Sequence, residues 1–516
     1  MKRKPAGKKI VKKKDSGKKA AKPPSKKTPE KSKFYITTPI YYVNDVPHIG
    51  HAYTTIVSDV LARWNRLSGR SVFFLTGTDD HGKKVATAAK EAGKTPQAFT
   101  DSVVKRYHEA WKNLDISNDD FIRTTEPRHK KAVAEIIQLL QKSGDVYKGQ
   151  YEGWYCVPDE SFWTETQLKN GKCPECGRPV ETVKEESYFF RLSKYQSALL
   201  ELYKKNPGFI SPKNRRQEII NRVQSGLKDL SITRETVKWG IPFPGDPKHV
   251  VYVWVDALTN YISALDYPNT KFKKFWPADV HMMAKEILWF HSVIWPAMLM
   301  SCKLPLPKRV FAHGWLTIDG QKMSKSVGNV VDPIKLTEKY PVDVVRYFLV
   351  REIPLGDDGD FSEKALISRI NGELVSDLGN LASRVLTLAE KSGSTKFEGK
   401  DELSKSLDFR KIQDYVDDIE LHHAIQEIFM FIGRVNKYIN DKEPWKLDGR
   451  DLEQVLYNLL ESLRVISILI SPFMPSTSEK LNSQLGVKAG TFADLKFKKK
   501  FEGKPRKGEH LFTRVK

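Results

Sequence analysis

A strand, a helix and a second strand follow one another within residues 34–82, and this run constrains the fold more than any other feature. FYITTPIYY (34–42) is aromatic and β-branched, as a buried strand should be. Asn44, Asp45 and Pro47 mark a turn. From about Gly50 to Leu67, Ala52, Ile56, Val60 and Trp64 recur at four-residue steps and give a helix one apolar face. Ser68, Gly69 and Arg70 end it, and SVFFLTGTDDHG (71–82) reads as a second buried strand running into a polar loop. Such a unit requires a parallel sheet, whose ligands lie at the carboxyl ends of its strands.

Downstream the pattern changes twice. From about Tyr147 to Lys184 it breaks into Gly, Trp, Tyr and Cys with short strand-like runs, as in a small inserted domain. The α/β pattern resumes near Val250 (VVYVWVDAL) and again at 309–316, and after Val342 nearly everything reads as amphipathic helix, for example 372–391 and 452–470. No internal repeat is present. The predicted fold class is α/β: a Rossmann-like parallel-sheet domain over 34–146 and 225–330, an inserted connective domain at 147–224, a linker at 331–365 and a helical domain at 366–516.

At 516 residues the chain is long enough for two or three buried cores. Hydrophobic residues make up 40% and charged residues 29%, as in soluble globular proteins. No apolar run approaches the ~20 residues that span a bilayer, and the N-terminus lacks the apolar core of a secretory signal. A cytoplasmic protein without a membrane partner is expected. Residues 1–33 carry fifteen Lys or Arg against Asp15 and Glu30, a net +13 of the formal +23. This Lys/Pro/Ser/Gly-rich stretch is predicted to be disordered. It is either a solubilising tail or a polyanion-attracting one, and a Lys-rich run does not exclude nuclear targeting. The remaining chain is still basic, which favours a nucleic-acid partner.

Two motifs carry chemistry. His48-Ile49-Gly50-His51 lies between a strand and the first helical turn, where unpaired N–H groups and the helix dipole favour an anion. Two imidazoles at i and i+3 can donate to one phosphate, and Gly50 permits close approach to the backbone. Lys322-Met323-Ser324-Lys325-Ser326 follows a turn at 317–320, and two lysines among small hydroxyl residues suit a pyrophosphate leaving group. Read alone, the first is more often a cap or chance metal pair, and the second a solvated surface loop. One follows the first strand and the other the last strand of an α/β domain, so the fold can bring both over one crevice.

HIGH and KMSKS, intact and in this order, resemble the signature of class I aminoacyl-tRNA synthetases. Within that class the chain is similar to the methionyl-tRNA synthetase family from Phe34 to roughly Met474. The resemblance implies attack of the methionine carboxylate on the ATP α-phosphate, release of pyrophosphate, and transfer of the aminoacyl group to the terminal ribose of tRNA(Met). It implies that His48, Gly50, His51, Lys285, Glu286, Lys322, Ser324 and Lys325 hold ATP, with Mg²⁺ as its companion, and that His48, His51, Lys322 and Lys325 are the catalytic groups. The methionine pocket would involve Ile40, Tyr42, Trp254, Ala257, Leu258, Tyr261, Ile287 and His291, with Asp79 on the α-ammonium. Any one of Trp254, Tyr261 and Ile287 alone reads more readily as core packing, and Asp79 alone reads equally as a cap of the next helix. The family commonly shows Gly-Lys-Asp where this chain has Ala284-Lys285-Glu286, so the ribose contact at Glu286 departs from the pattern.

Cys156-x-x-Asp159 and Cys173-x-x-Cys176-Gly177 form a zinc-knuckle-like segment in the insertion; three thiolates and a carboxylate can complete a tetrahedron around one structural Zn²⁺, the alternative being a metal-free knuckle. Family members often have four sulfur ligands here, so Asp159 is a departure. The helical region resembles the family's anticodon-binding bundle, with Asn380, Arg384 and Trp445 at base-reading positions, and 331–365 would be the stem-contact region. No appended domain follows the bundle, so a monomer is expected. Three rival readings are a sister synthetase for Leu, Ile, Val or Cys, a synthetase-like RNA-binding protein without catalysis, and a nucleotidyltransferase without tRNA. They are opposed respectively by the short insertion and displaced thiols, by the intact motifs, and by the helical region.

Overall fold

The computed structural model describes residues 32–158, 161–163, 165–323, 328–394 and 396–516, and the side chains of these except Tyr151, Ser161, Phe162, Thr166 and Lys322. Most of the basic tail, Asp159, Ser324 and Lys325 therefore lie outside the described residues.

Six parallel strands form the central sheet, in the spatial order Asp120–Arg123, Ser71–Asp79, Lys33–Tyr42, Val280–Ala284, Val310–His313 and Ile210–Ser211. Successive side chains of a strand point to opposite faces, and here both faces are buried. Phe34, Ile36, Phe74, Met282 and Phe311 enter one apolar core, and Tyr35, Phe73, Leu75, Met283, Val310 and Ala312 enter the other. That is why these strands read as continuous apolar runs. The first helix, Ile49–Leu67, covers the first face with Ile49, Ala52, Ile56, Val60 and Trp64, all buried. The same core continues without a break into the helices that follow residue 342. Pro127–Lys142 and Trp295–Ser301 help cover the second face.

The strand order reverses between Lys33–Tyr42 and Val280–Ala284. In an open parallel sheet this reversal opens a crevice beyond the strands' carboxyl ends. Between the sheet's two halves lies an antiparallel sheet of Ser161–Trp163, Val146–Cys156, Glu181–Phe190 and Leu230–Ser231. A second small sheet pairs Asp246–Val251 with Pro242–Phe243 and Thr233–Arg234. After the last central strand, Leu316–Ile318 pairs antiparallel with Gln321–Lys322 and parallel with Gly359–Phe361.

The helical region packs onto the back of the first helix. Trp64 lies 4.5 Å from the Phe492 ring and donates its indole N–H to Gln413. Fully buried Arg346 joins Asp59 of the same helix, at 2.7 Å, to the backbone oxygens of Pro472 and Phe473. No helix among the described residues is long and apolar enough to cross a membrane.

Candidate active site

The motif His48–His51 sits at the start of the first helix, directly after the strand Lys33–Tyr42. His48 is the N-cap: its Nδ1 accepts the Gly50 N–H at 3.1 Å, and His51 Nδ1 faces the His48 N–H at 3.4 Å. Both rings thus use Nδ1 as acceptor, which in a neutral imidazole leaves the proton on Nε2. The rings stack at 3.7 Å between centroids. Burial, and then the neighbouring His48, hold the His51 pKa well below the ordinary imidazole value, so that ring is a neutral donor at physiological pH. A Cβ on Gly50 would come within 3.0 Å of the His48 ring, which accounts for glycine there.

The second motif meets the first. The same Cβ position on Gly50 is 3.7 Å from the terminal methyl of Met323, and the Ile49 N–H donates to Val331 at 3.0 Å. Val331, past the Ser324–Lys325 segment, is thus bonded to the first helical turn, and Met323, before that segment, lies near it. The Lys322 backbone pairs with Thr317 in a short hairpin.

At the carboxyl ends of the neighbouring strands lie most of the remaining candidates. Tyr42 and Asp79 are register partners across the two adjacent strands, and Asp79 is buried. The His81 N–H approaches the Asp79 carboxylate at 3.3 Å. Beyond Val280–Ala284, Ile287 offers its carbonyl to His291 Nδ1 at 2.9 Å, and His291 Nε2 accepts the Tyr261 hydroxyl at 2.6 Å. Those two bonds fix one neutral tautomer, and burial pushes the His291 pKa down to about 4. Trp254 stacks on Phe290 at 3.7 Å and meets His291 edge-on. Trp254, Leu258 and Tyr261 belong to one apolar cluster against which Ile40, Tyr42 and Ile287 pack. Ala257 is buried on the same short helix, Val253–Leu258. The result is an aromatic cluster at the carboxyl ends of the strands, with the buried carboxylate of Asp79 on a neighbouring strand.

Lys285 forms an ion pair with Asp358 at 2.6 Å and lies over the Trp315 ring at 3.9 Å; Glu286 is exposed beside it. Sequence reasoning missed several groups that organise this end. His313 closes its strand, donates through Nδ1 to the Gly314 carbonyl and accepts the Thr54 hydroxyl, both at 2.7 Å. Its pKa is lowered to about 4 by burial. Gly314 is obligatory for packing, since a Cβ would fall 2.1 Å from the Asp357 carbonyl oxygen. Asp256 holds His81 and His129 at 2.7 Å each. Burial raises the Asp256 pKa, but the two imidazoles more than reverse this and bring it to about 2. The only sequence signal for these was proximity to motifs, as in AspAlaLeu (256–258) and AspAspHis (79–81).

Away from the crevice, the sulfurs of Cys156, Cys173 and Cys176 all lie within 4.8 Å of one another, Cys156 and Cys176 at 3.5 Å. Sulfurs on a tetrahedral zinc at about 2.3 Å sit roughly 3.8 Å apart, so the three fit that ion. In the helical region Arg384 donates to Asn440 at 2.8 Å and its guanidinium lies 5.8 Å from the Trp445 ring. Trp445 is 52% exposed, and Asn380 is exposed one turn before Arg384.

A reversed parallel sheet carrying HIGH at its crevice, with the chain that follows the KMSKS sequence bonded to the same helical turn, is the arrangement of a class I tRNA synthetase. The family described as "tRNA synthetases class I (M)" matches residues 34–182 and 176–386, and the "Anticodon-binding domain of tRNA ligase" matches 407–514. The methionine–tRNA ligase of Caldanaerobacter subterraneus subsp. tengcongensis is 53% identical over 94% of this chain and 79% of its own length; that of Thermotoga maritima is 51% identical over 93% and 77%. A Mycobacterium tuberculosis methionyl-tRNA synthetase in complex with methionyl-adenylate superposes with a TM-score of 0.90 at 41% identity, covering 94% of this chain and all of that one. The chain belongs to the methionine–tRNA ligase family.

Proposed function

We infer that this chain activates L-methionine with ATP and transfers it to the 3′ end of tRNA(Met). The observation that supports the reading is the hydrogen bond from the Ile49 N–H to Val331, just past the second motif, which ties the chain after that motif to the first turn of the helix that carries the first. In this reading the Nε2–H groups of His48 and His51 donate to phosphate oxygens at a helix N-terminus, where the dipole already favours negative charge. Lys322 and Lys325, with Ser324, stabilise the departing pyrophosphate. Lys285 and Glu286 lie toward the nucleoside. Asp79 holds the α-ammonium, so the methionine carboxylate is presented to the α-phosphate, and Ile40, Tyr42, Trp254, Ala257, Leu258, Tyr261, Ile287 and His291 enclose the thioether chain. The neutral His291–Tyr261 pair adds hydrogen-bonding polarity without a charge that an apolar side chain would have to desolvate. Mg²⁺ bound with ATP would neutralise the triphosphate. The catalysis is positioning and electrostatics, without a covalent enzyme intermediate.

Cys156, Cys173 and Cys176, with Asp159 as the fourth ligand, would hold one Zn²⁺ with a structural role. Asn380, Arg384 and Trp445 would read anticodon bases, Trp445 by stacking. The domain division at 34–146, 147–224, 225–330, 331–365 and 366–516, a cytoplasmic address and a monomeric state belong to the same reading, as does attraction of the 1–33 tail to a polyanion. ATP–pyrophosphate exchange with each amino acid in turn tests the activity. Methionine alone should support exchange; exchange with leucine or cysteine instead would defeat the pocket assignment. Deleting residues 1–33 should weaken tRNA binding and flatten its salt dependence.

A further inference from the structure

A second cluster of metal-ligating groups lies apart from both the crevice and the cysteines. The strand Glu181–Phe190 of the inserted sheet contributes Glu186, the strand Asp246–Val251 contributes Asp246 and His249, and Glu235 follows Thr233–Arg234. His249 is fully buried, with Nδ1 at 3.3 Å from the Thr233 hydroxyl, and its Nε2 has no hydrogen-bond partner among the described residues. That nitrogen faces three carboxylates, at 3.7 Å from Glu235, 3.7 Å from Asp246 and 3.8 Å from Glu186. The ligand atoms of Glu186, Glu235 and His249 all lie within 4.8 Å of one another.

These separations are too long for hydrogen bonds and suit a shared ion. Donors held about 2.0–2.2 Å from a metal lie roughly 3–4 Å from one another at tetrahedral to octahedral angles. Charge gives a second argument. The ammonium paired with this group is that of Lys148, at 2.5 Å from Glu186 and 3.4 Å from Asp246. Three carboxylates and one ammonium leave two negative charges beside the imidazole. The ligands are also held from behind: the Tyr188 hydroxyl donates to Asp246 at 3.1 Å, and Thr233 orients the His249 ring.

We propose that Glu186, Glu235 and His249, with Asp246 beside them, form a site for one divalent transition-metal ion, distinct from the cysteine cluster. One imidazole among oxygen donors suits Mn²⁺ or Zn²⁺ and lacks the thiolates that draw softer ions. The partly exposed carboxylates leave an entry path, and Lys148, itself 41% exposed, can withdraw to water as the ion enters. Such an ion ties the inserted sheet to the strand that runs through Tyr252 into the helix bearing Trp254 and Ala257. It therefore braces from outside the aromatic cluster that contains Trp254.

The test uses Mn²⁺ alone with the full chain and no nucleotide. Electron paramagnetic resonance should count one bound ion per chain, with ¹⁴N coupling from an imidazole. Glu235→Gln should weaken binding by more than about tenfold, His249→Ala should abolish the nitrogen coupling, and Cys173→Ser with Cys176→Ser should leave the signal unchanged. Absence of bound Mn²⁺ at millimolar concentration, unchanged affinity in Glu235→Gln, or loss of the signal in the cysteine variant would each overturn the site. Glu235 is 41% exposed, so its amide variant decides the matter even if His249→Ala does not fold.

Discussion

The crevice and the exposed end of the helical region differ in how much of their geometry exists before any ligand arrives. At the crevice, Asp79, Tyr261 and His291 are buried, and His51 is tied into the helix cap by its own chain. At the other end Trp445 is half exposed, and Arg384 reaches Asn440 and the Trp445 ring. The contrast suits the tasks proposed for the two regions. Stabilising charge in a transition state needs dipoles fixed in advance, whereas stacking an unpaired base needs a free aromatic face. Substitutions at the crevice should therefore disturb chemistry and stability together, and those at the exposed end affinity alone.

The seam between the two regions gives the largest expected effect. Burial alone would raise the Asp59 pKa, but Arg346 and Arg63 lower it below the usual carboxylate value. Arg346→Met leaves that buried carboxylate short of a partner and frees the backbone oxygens of Pro472 and Phe473. Urea unfolding should show a loss of about 3–5 kcal/mol. A loss under about 1 kcal/mol would mean that the regions are joined by apolar packing alone. Next comes His51→Ala, expected to lower kcat/KM for pyrophosphate exchange by about 2–4 kcal/mol while sparing tRNA affinity. Full exchange activity would remove the histidine from its assigned role.

At the exposed end, Trp445→Ala should weaken tRNA(Met) binding by about 1–3 kcal/mol, with exchange and the urea midpoint unchanged. Filter binding beside exchange assays separates the two. If exchange falls as well, the division between prebuilt and ligand-completed regions is wrong.

The same division explains what could be read in the sequence. Residues 34–82 were legible because a strand buried on both faces and a one-faced helix each announce themselves locally. The predicted start at Phe34 is one residue past the strand's first residue, Lys33, whose ammonium pairs with Asp279. The edge strand Ile210–Ser211 was not legible: two residues become a strand only because Val310 and Phe311 lie beside them. The run 372–391 reads as one helix, yet Ile370–Gly379 is a π-helix and only Asn380–Lys391 is α, since wider hydrogen-bond spacing barely alters apolar periodicity. Cys302, inside the apolar run WPAMLMSCKL (295–304), reads as a buried small hydrophobe; it is only partly buried, although burial still pushes its thiol up to about 12. In the site, the two motifs were legible as contiguous strings. His313, Asp256 and His129 were not, because each acquires its role from partners more than a hundred residues away.

The smallest expected effect tests whether crevice histidines are held neutral by burial. His313 has a folded pKa of about 4, below the ~6.5 of an exposed imidazole. As pH falls below 6.5 the unfolded chain takes up a proton that the folded chain refuses, so stability is lost down to about pH 4 and is fully present above 6.5. At pH 5.5, one unit below the unfolded value, the loss from this one group is about 1.4 kcal/mol. His313→Gln lowers stability at every pH but removes that increment. The difference in unfolding free energy between pH 7.5 and 5.5 should therefore be smaller in the variant by about 1.4 kcal/mol. Trp445→Ala, acting at a group that does not titrate, should leave the pH dependence parallel to that of the unaltered chain. Parallel curves for His313→Gln as well would mean that its ring already accepts a proton in the folded state, and that the crevice is wetter than its hydrogen bonds to Thr54 and Gly314 imply.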